Sequence, residues 1–252
     1  MTKETESLLR GAQDTFNAPL PVGERLRAGI SLAAAGSMAL SRRGTDPSFD
    51  RFLRHCGIPP SAACGVHQVH SRRVLVLDGR TDVAALAATD ADGMVTDRTD
   101  LTLTVTVADC LPLILEDTTG PAFGLVHSGW RGTGIVGEAL RLMERTYGTT
   151  PQHVRATIGP GIGACCYAVP EERADLFAAQ YGPHSVVRDP KVHGGAPRLD
   201  LRAANAALLE RAGVASITVV PDCTSCTPQL GSFRRQGAQG YTLMLAWVGR
   251  SA

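Results

Sequence analysis

The chain has 252 residues, a net charge of +1 and no block of like charge. It is long enough to bury a substantial core without disulfides, and it carries neither a nucleic-acid footprint nor a membrane-surface patch, so a small-molecule partner is expected. The polar opening MTKETESLLRGAQD, an early apolar stretch broken by Ser31, Gly36 and Ser37, and seven cysteines without an export signal predict a cytoplasmic protein with reduced thiols and no membrane span.

No linker composition divides the sequence, and one domain over 1–252 is expected. Residues 1–45 are the least legible, because Pro19, Pro21 and several glycines break any period. Pro47-Ser48 opens a helix whose Phe49, Phe52, Leu53 and Cys56 follow the i, i+3, i+4, i+7 spacing, with Gly57 as its stop. A strand is expected over 74–77, and the alternation from Leu101 to Val107 predicts a strand with one buried face. Apolar runs over 111–116 and 121–126 flank Asp-Thr-Thr-Gly and read as a hairpin. With a four-residue loop over 117–120, Glu116 pairs with Pro121, and the ladder sets Cys110 directly across from His127, their Cβ atoms roughly 5 Å apart. Glycines over 132–137 lead into a helix to about Tyr147, Thr157-Ile158 ends a strand, and 170–181 is helical. Asp200 caps a helix running through Ala212 to Gly213. The last strands are expected over 217–220 and 241–248. Strands adjacent in sequence, mixed with separate helices, predict an α+β fold: a mixed α/β sandwich with central mixed β-sheets flanked by helices.

A catalytic zinc keeps a position open by using three protein ligands. Cys110 and His127 supply two, and the third comes from His67 or His70. On an extended segment these two face opposite ways, so only one can point inward, and the spacing leaves both open. The opposing reading, a core thiol and surface histidines, is weakened by three such residues standing beside strand ends. Asp109, Trp130 and Arg131 flank the cluster. Arg131 and Gly132 lie in the glycine-rich 129–137 segment that opens a helix, where free N–H groups and a guanidinium suit phosphate or carboxylate, although glycines there equally serve a tight turn. The glycine-rich loop over 158–169 is expected to form another wall. Cys223-Thr-Ser-Cys226 invites a structural-zinc or redox reading, and Cys165-Cys166 would complete four thiolates; against this, adjacent cysteines chelate one ion poorly. Arg234 and Arg235 are anion contacts or surface charge. His55, His153, His184 and His193 have no partner in sequence and are expected to be exposed.

These residues belong to an ordered series: Gln68-Val69-His70, Ala91-Asp92-Gly93, Ala108-Asp109-Cys110 with Pro112, and the segment from His127 through Trp130 to Gly132. The series continues through Ile158-Gly159-Pro160, Cys166-Tyr167, Asp200-Leu201, Cys223-Thr224 and Ser232 to Arg235. In this order and spacing the chain resembles the YfiH-type laccase-domain family, whose members have been labelled multicopper polyphenol oxidases and purine nucleoside phosphorylases. The resemblance implies a zinc ion held by His70, Cys110 and His127, selecting His70 over His67. It implies phosphorolysis of adenosine, inosine or methylthioadenosine to base and ribose 1-phosphate, with adenosine deamination as a second activity. Asp109 joins the three ligands as a catalytic candidate; Trp130, Arg131, Gly132, Arg234 and Arg235 are candidates for substrate and phosphate. The alternatives are an amidohydrolase removing L-serine from peptidoglycan precursors, a metal protein without catalysis, and weak phenol oxidation by an adventitious copper at the zinc site. The sequence departs from the family in four places. The early arginine is not identifiable within 25–43, Ala168 stands where a glutamate is usual, Tyr241 replaces an arginine, and Ser128 replaces an alanine.

Overall fold

The computed structural model describes residues 2–5, 7–9, 14–39, 47–189 and 195–251; His193 and the candidate early arginines Arg42 and Arg43 lie outside them. Its strands are β1 Thr2–Thr5, β2 Asn17–Pro19, β3 Leu26–Ser31, β4 Ala63–Cys64, β5 Val74–Leu77, β6 Gly93–Thr96, β7 Thr102–Val107, β8 Leu111–Asp117, β9 Phe123–Ser128, β10 Val154–Ile158, β11 Val186–Val187, β12 Arg198–Leu199, β13 Ser216–Val219 and β14 Met244–Arg250. The helices are α1 Pro47–His55, α2 Ile135–Tyr147, α3 Glu171–Tyr181, α4 Leu201–Ala212 and α5 Phe233–Gln236.

Two mixed sheets dominate, one ordered β1-β13-β10-β8-β9-β6-β5 and the other β2-β3-β14-β7-β4, with β11 and β12 as a separate pair. Period-two alternation on β8 explains how the first sheet is buried on both faces. Leu111, Leu113 and Leu115 face the helices α2, α3 and α4, whereas Ile114 faces Leu103, Val105 and Val107 of β7 across the gap between the sheets. The second sheet turns Leu245 and Trp247 outward under Phe49, Phe52 and Leu53 of α1. The result is a mixed α/β sandwich of four layers, helices outside and sheets within. Each fully buried leucine of β8 contributes about 2 kcal/mol of transfer free energy.

Local signals place several elements where the sequence puts them. Asp200 accepts the Ala203 N–H through its side chain and α4 ends at Gly213 in the left-handed region; α2 ends likewise at Gly148. The hairpin register differs from expectation. Glu116 pairs with Phe123, so Pro112 lies opposite His127 and Leu111 opposite Ser128. The Asp117 carboxylate takes the N–H groups of Thr119 and Gly120, each at 2.8 Å, and its own N–H bonds Ala122 O at 2.9 Å. Pro121, lacking an N–H, cannot enter the ladder, which resumes at Phe123. The slip is two residues, an even number, so the side chains keep their faces. The last strand begins at Met244 rather than 241, because Thr242 N–H bonds the Gln236 side chain and Leu243 N–H bonds Ser37 Oγ. Along β7, Thr104 is buried rather than solvent-facing, its hydroxyl donating to Cys64 O at 2.7 Å.

Candidate metal centre and its pocket

The chain crosses from the second sheet to the first at Ala108-Asp109-Cys110, between β7 and β8, and Asp109 takes a φ of 92° to make that crossing. Cys110 stands one residue before β8, diagonal to His127 on β9 rather than opposite it. Gly129 occupies the place across from Cys110, and a Cβ there would sit 2.7 Å from the Cys110 sulfur; only glycine leaves room for the thiol to reach inward. His70 arrives from the segment between β4 and β5 with a φ of 60°. Its ring and that of His127 stand edge to face with centroids 4.9 Å apart. The donor atoms of His70, Cys110 and His127 all lie within 4.8 Å of one another. His67 is turned away, exposed, and paired with Asp90 at 2.7 Å.

A fourth residue organises the three. Fully buried Asp92 accepts the N–H groups of Val69, His70 and Ser71 and the Ser71 hydroxyl, which holds His70 in its strained backbone. The same carboxylate meets His127 Nδ1 at 2.8 Å. That contact fixes the tautomer and turns Nε2 toward Cys110, the carboxylate–histidine arrangement typical of a metal ligand. Burial raises the Asp92 pKa, but bonds from His127 and Ser71 outweigh it and hold the carboxyl at about 2. Burial likewise pushes Cys110 up, yet His127 and His70 beside it bring the thiol down to about 6. His127 rises to about 9, its burial outweighed by the Cys110 sulfur and Asp92. A thiolate with two imidazoles, one position left open, is a donor set that fits a zinc ion.

The triad forms the floor of a cavity of about 590 Å³. Trp130, Tyr167, Phe233 and Tyr241 give it aromatic walls, and Arg173 and Arg234 give it guanidinium groups. Arg173 on α3 lies 4.5 Å from the Trp130 ring centroid and makes no ion pair among the described residues. Arg234 stands over Tyr167 at 5.3 Å and donates to Cys166 O and Ala168 O. Burial and the Cys110 sulfur push the Tyr167 hydroxyl up to about 12, so it stays protonated.

Of the remaining sequence candidates, Asp109 also lines the cavity, whereas Arg131, Gly132 and Arg235 lie outside its lining. Arg131 stacks on Trp130 at 5.1 Å but borders a separate groove beside α3. Gly132 serves close packing, since a Cβ there would lie 3.0 Å from Ser71 O. The N–H groups of Ile135 and Gly137 are spent on Gly132 and Gly134 carbonyls, so the glycine-rich stretch is turn-making. Arg235 is folded under its own loop, donating to the carbonyls of Thr224, Ser225, Thr227 and Leu230. Asp109 has both oxygens engaged, by Thr224 Oγ1 at 2.6 Å and by Arg234 N–H at 2.7 Å. Ser128 bonds buried Asn205, and Tyr241 packs on Phe233 at 5.1 Å. His153 and His184 are exposed; His55 is exposed too but pairs with Asp14 at 2.7 Å. Sequence reasoning gave Asp92 no role and missed Arg173. For Asp92 the available signal was its place in a motif beside a strand; for Arg173 there was none.

Comparison with solved structures finds YlmD from Geobacillus stearothermophilus, with a TM-score of 0.85 and 26% identity, over 98% of this chain and 100% of that one. YfiH from Bacillus licheniformis matches with a TM-score of 0.84 and 26% identity, over 95% and 98%. A protein of Corynebacterium glutamicum named purine nucleoside phosphorylase is 35% identical over 249 residues, 95% of this chain and 98% of its own length. One of the same name from Streptomyces griseus is 33% identical over 230 residues, 87% and 90% of the two chains. Residues 37–249 match the family described as multi-copper polyphenol oxidoreductase laccase, and with this breadth of agreement the chain belongs to that family, the YfiH-type laccase-domain proteins.

Proposed function

We propose that the chain is a zinc-dependent purine nucleoside phosphorylase, converting nucleoside and phosphate into free purine and ribose 1-phosphate, with adenosine deamination as a second activity of the same pocket. The observation that carries this reading is the cavity itself: a metal-competent triad beside aromatic walls, with a guanidinium that no carboxylate among the described residues claims. Relatives covering nearly the whole chain are named for that reaction.

In this reading the base packs among the aromatic walls of the cavity, with aromatic contact as its main interaction. Arg173 seats the phosphate through charge-assisted hydrogen bonds. A phosphate oxygen attacks C1′ as the C1′–N9 bond breaks; the purine leaves with the bonding pair and takes up the proton that the hydrogen phosphate loses on becoming ribose 1-phosphate. His70, Cys110 and His127 hold the zinc, which supplies a Lewis acid when bound. Asp92 keeps His127 in its ligating tautomer. Asp109 acts as a positioning residue, tying Thr224 and Arg234 to the strand crossing.

The test is incubation of the zinc-loaded protein with inosine, adenosine and methylthioadenosine, with and without phosphate, products being followed by chromatography. Base release should require phosphate, and Cys110→Ala should lose metal and activity together. Arg173→Ala should raise KM for phosphate about tenfold, equivalent to about 1.4 kcal/mol, whereas Arg131→Ala, altering a side chain outside the cavity, should not. Zinc-loaded protein that releases no base, or full inosine turnover by metal-free Cys110→Ala, would overturn the reading.

A further inference from the structure

A second cluster of ligating atoms stands apart from the pocket floor. Cys165 and Cys166, in the loop after β10, meet Cys223 and Cys226, in the loop after β13, and the four sulfurs all lie within 4.8 Å of one another. Cys226 is 3.3 Å from Cys166 and 3.6 Å from Cys165. We propose that these four cysteines form a second, structural metal site, a tetrahedral four-thiolate centre for Zn²⁺, independent of the nucleoside reading.

Distance is the first argument. With Zn–S bonds of about 2.3 Å, a tetrahedral ion sets its sulfurs about 3.8 Å apart, a separation that lies between the 3.3 Å of Cys166–Cys226 and the 4.8 Å that bounds the four sulfurs. No pair is singled out as a disulfide, since Cys226 is shared between two partners and all four thiols are free. A multinuclear iron–sulfur cluster does not fit, because its cysteines bind different iron atoms and are spread further apart.

Backbone architecture is the second argument, and it answers the objection that adjacent cysteines chelate poorly. Gly163 O takes the N–H groups of both Cys166 and Tyr167, at 2.9 and 3.0 Å. This curls the chain so that the two neighbouring thiols serve one centre. Opposite, Cys223 O takes the N–H groups of Cys226 and Thr227, at 3.1 and 3.0 Å, forming the knuckle that a Cys-x-x-Cys pair needs. Gly163 N–H donates to Cys223 Sγ at 3.1 Å, and a Cβ on Gly163 would meet Cys165 Sγ at 3.0 Å and Cys223 Cβ at 3.3 Å. Four thiolates around a dication leave a net negative charge, and two guanidinium groups flank it. Arg202 donates to Gly161 O and Asp222 O, and Arg235 to the carbonyls within the knuckle.

The site joins one wall of the pocket to the loop that holds Asp109. The first loop carries Ile162 and Tyr167; the second carries Thr224, which holds Asp109. A metal here clamps the two loops together, releasing thiol protons as it binds.

Metal content of protein purified under reducing conditions with zinc supplied tests this. Elemental analysis and native mass spectrometry should find two zinc ions per chain. The double variant Cys165→Ser with Cys226→Ser should retain one, and Cys110→Ala should also retain one. Cobalt-loaded Cys110→Ala should show the intense thiolate-to-cobalt absorption of a four-sulfur tetrahedral site, a readout that holds even if the double variant fails to fold. One zinc in the wild type with none in Cys110→Ala, a cobalt spectrum lacking that absorption, or intact masses showing these cysteines as disulfides, would overturn the proposal.

Discussion

At Asp92 a buried carboxylate gathers bonds from the backbone of one histidine and the ring of another, and the Cys110 thiol feels the result through His127. With metal chelated away, Cys110 should therefore react as a thiolate. Its alkylation rate should climb as pH rises through about 6 and level off above, rather than near 9.0, where an ordinary thiol ionises. Zinc should protect it, and His127→Ala, by removing the neighbouring cation, should move the midpoint upward. A wild-type midpoint near 9.0 would contradict the thiolate–imidazolium pairing. Cys110 and His127 were legible in the sequence because they flank a recognisable hairpin, whereas His70 was distinguished from His67 only through the family resemblance. Asp92 was not legible, since hydrogen bonds to a segment more than twenty residues earlier leave no periodic trace.

Among the elements, the β8–β9 turn carries its own electrostatics. Burial raises the Asp117 pKa, but bonds from Thr149, Thr119 and Gly120 outweigh it and hold the carboxyl below its ordinary 3.8. A lowered carboxylate contributes stability that is fully present above 3.8 and disappears as pH falls through the lowered value. Asp117→Asn should cost about 2 kcal/mol near neutral pH, about 4–8 °C in Tm, and the difference should vanish in strong acid; equal loss at all pH values would assign the effect to packing. The same turn shows why register was misread while face was not. Alternation along Leu111, Leu113 and Leu115 fixes which side chains point together, but loop length depends on how Pro121 and Asp117 spend their hydrogen-bonding groups. Helix α1 was legible through its apolar period and the Gly57 stop, and α4 through its Asp200 cap and Gly213 stop. Strands β2 and β3 were not, because Pro19 and the neighbouring glycines hide a three-residue edge strand and its partner. The four-cysteine grouping was raised from the sequence but set aside for a related reason: spacing shows neighbours in sequence, not a turn that aims both thiols at one point.

For the molecule as a whole, β8 divides its side chains between two cores, so neither face of the first sheet can be lost alone. We infer that the four layers unfold as one unit: calorimetry should give one transition, and Ile114→Ala, costing about 2–5 kcal/mol, should lower that transition without splitting it. Two resolved transitions would refute the inference. The second sheet adds a constraint of a different kind. Its central strand, β14, lies between β3 and β7, yet Met244–Arg250 leaves the ribosome after every other described strand. Throughout synthesis Ile30 on one side and Leu103, Val105 and Val107 on the other must wait with open edges, and the sheet closes only once translation has passed residue 250. Nascent chains stalled short of β14 should thus be the form of this protein most dependent on chaperones and most prone to aggregate.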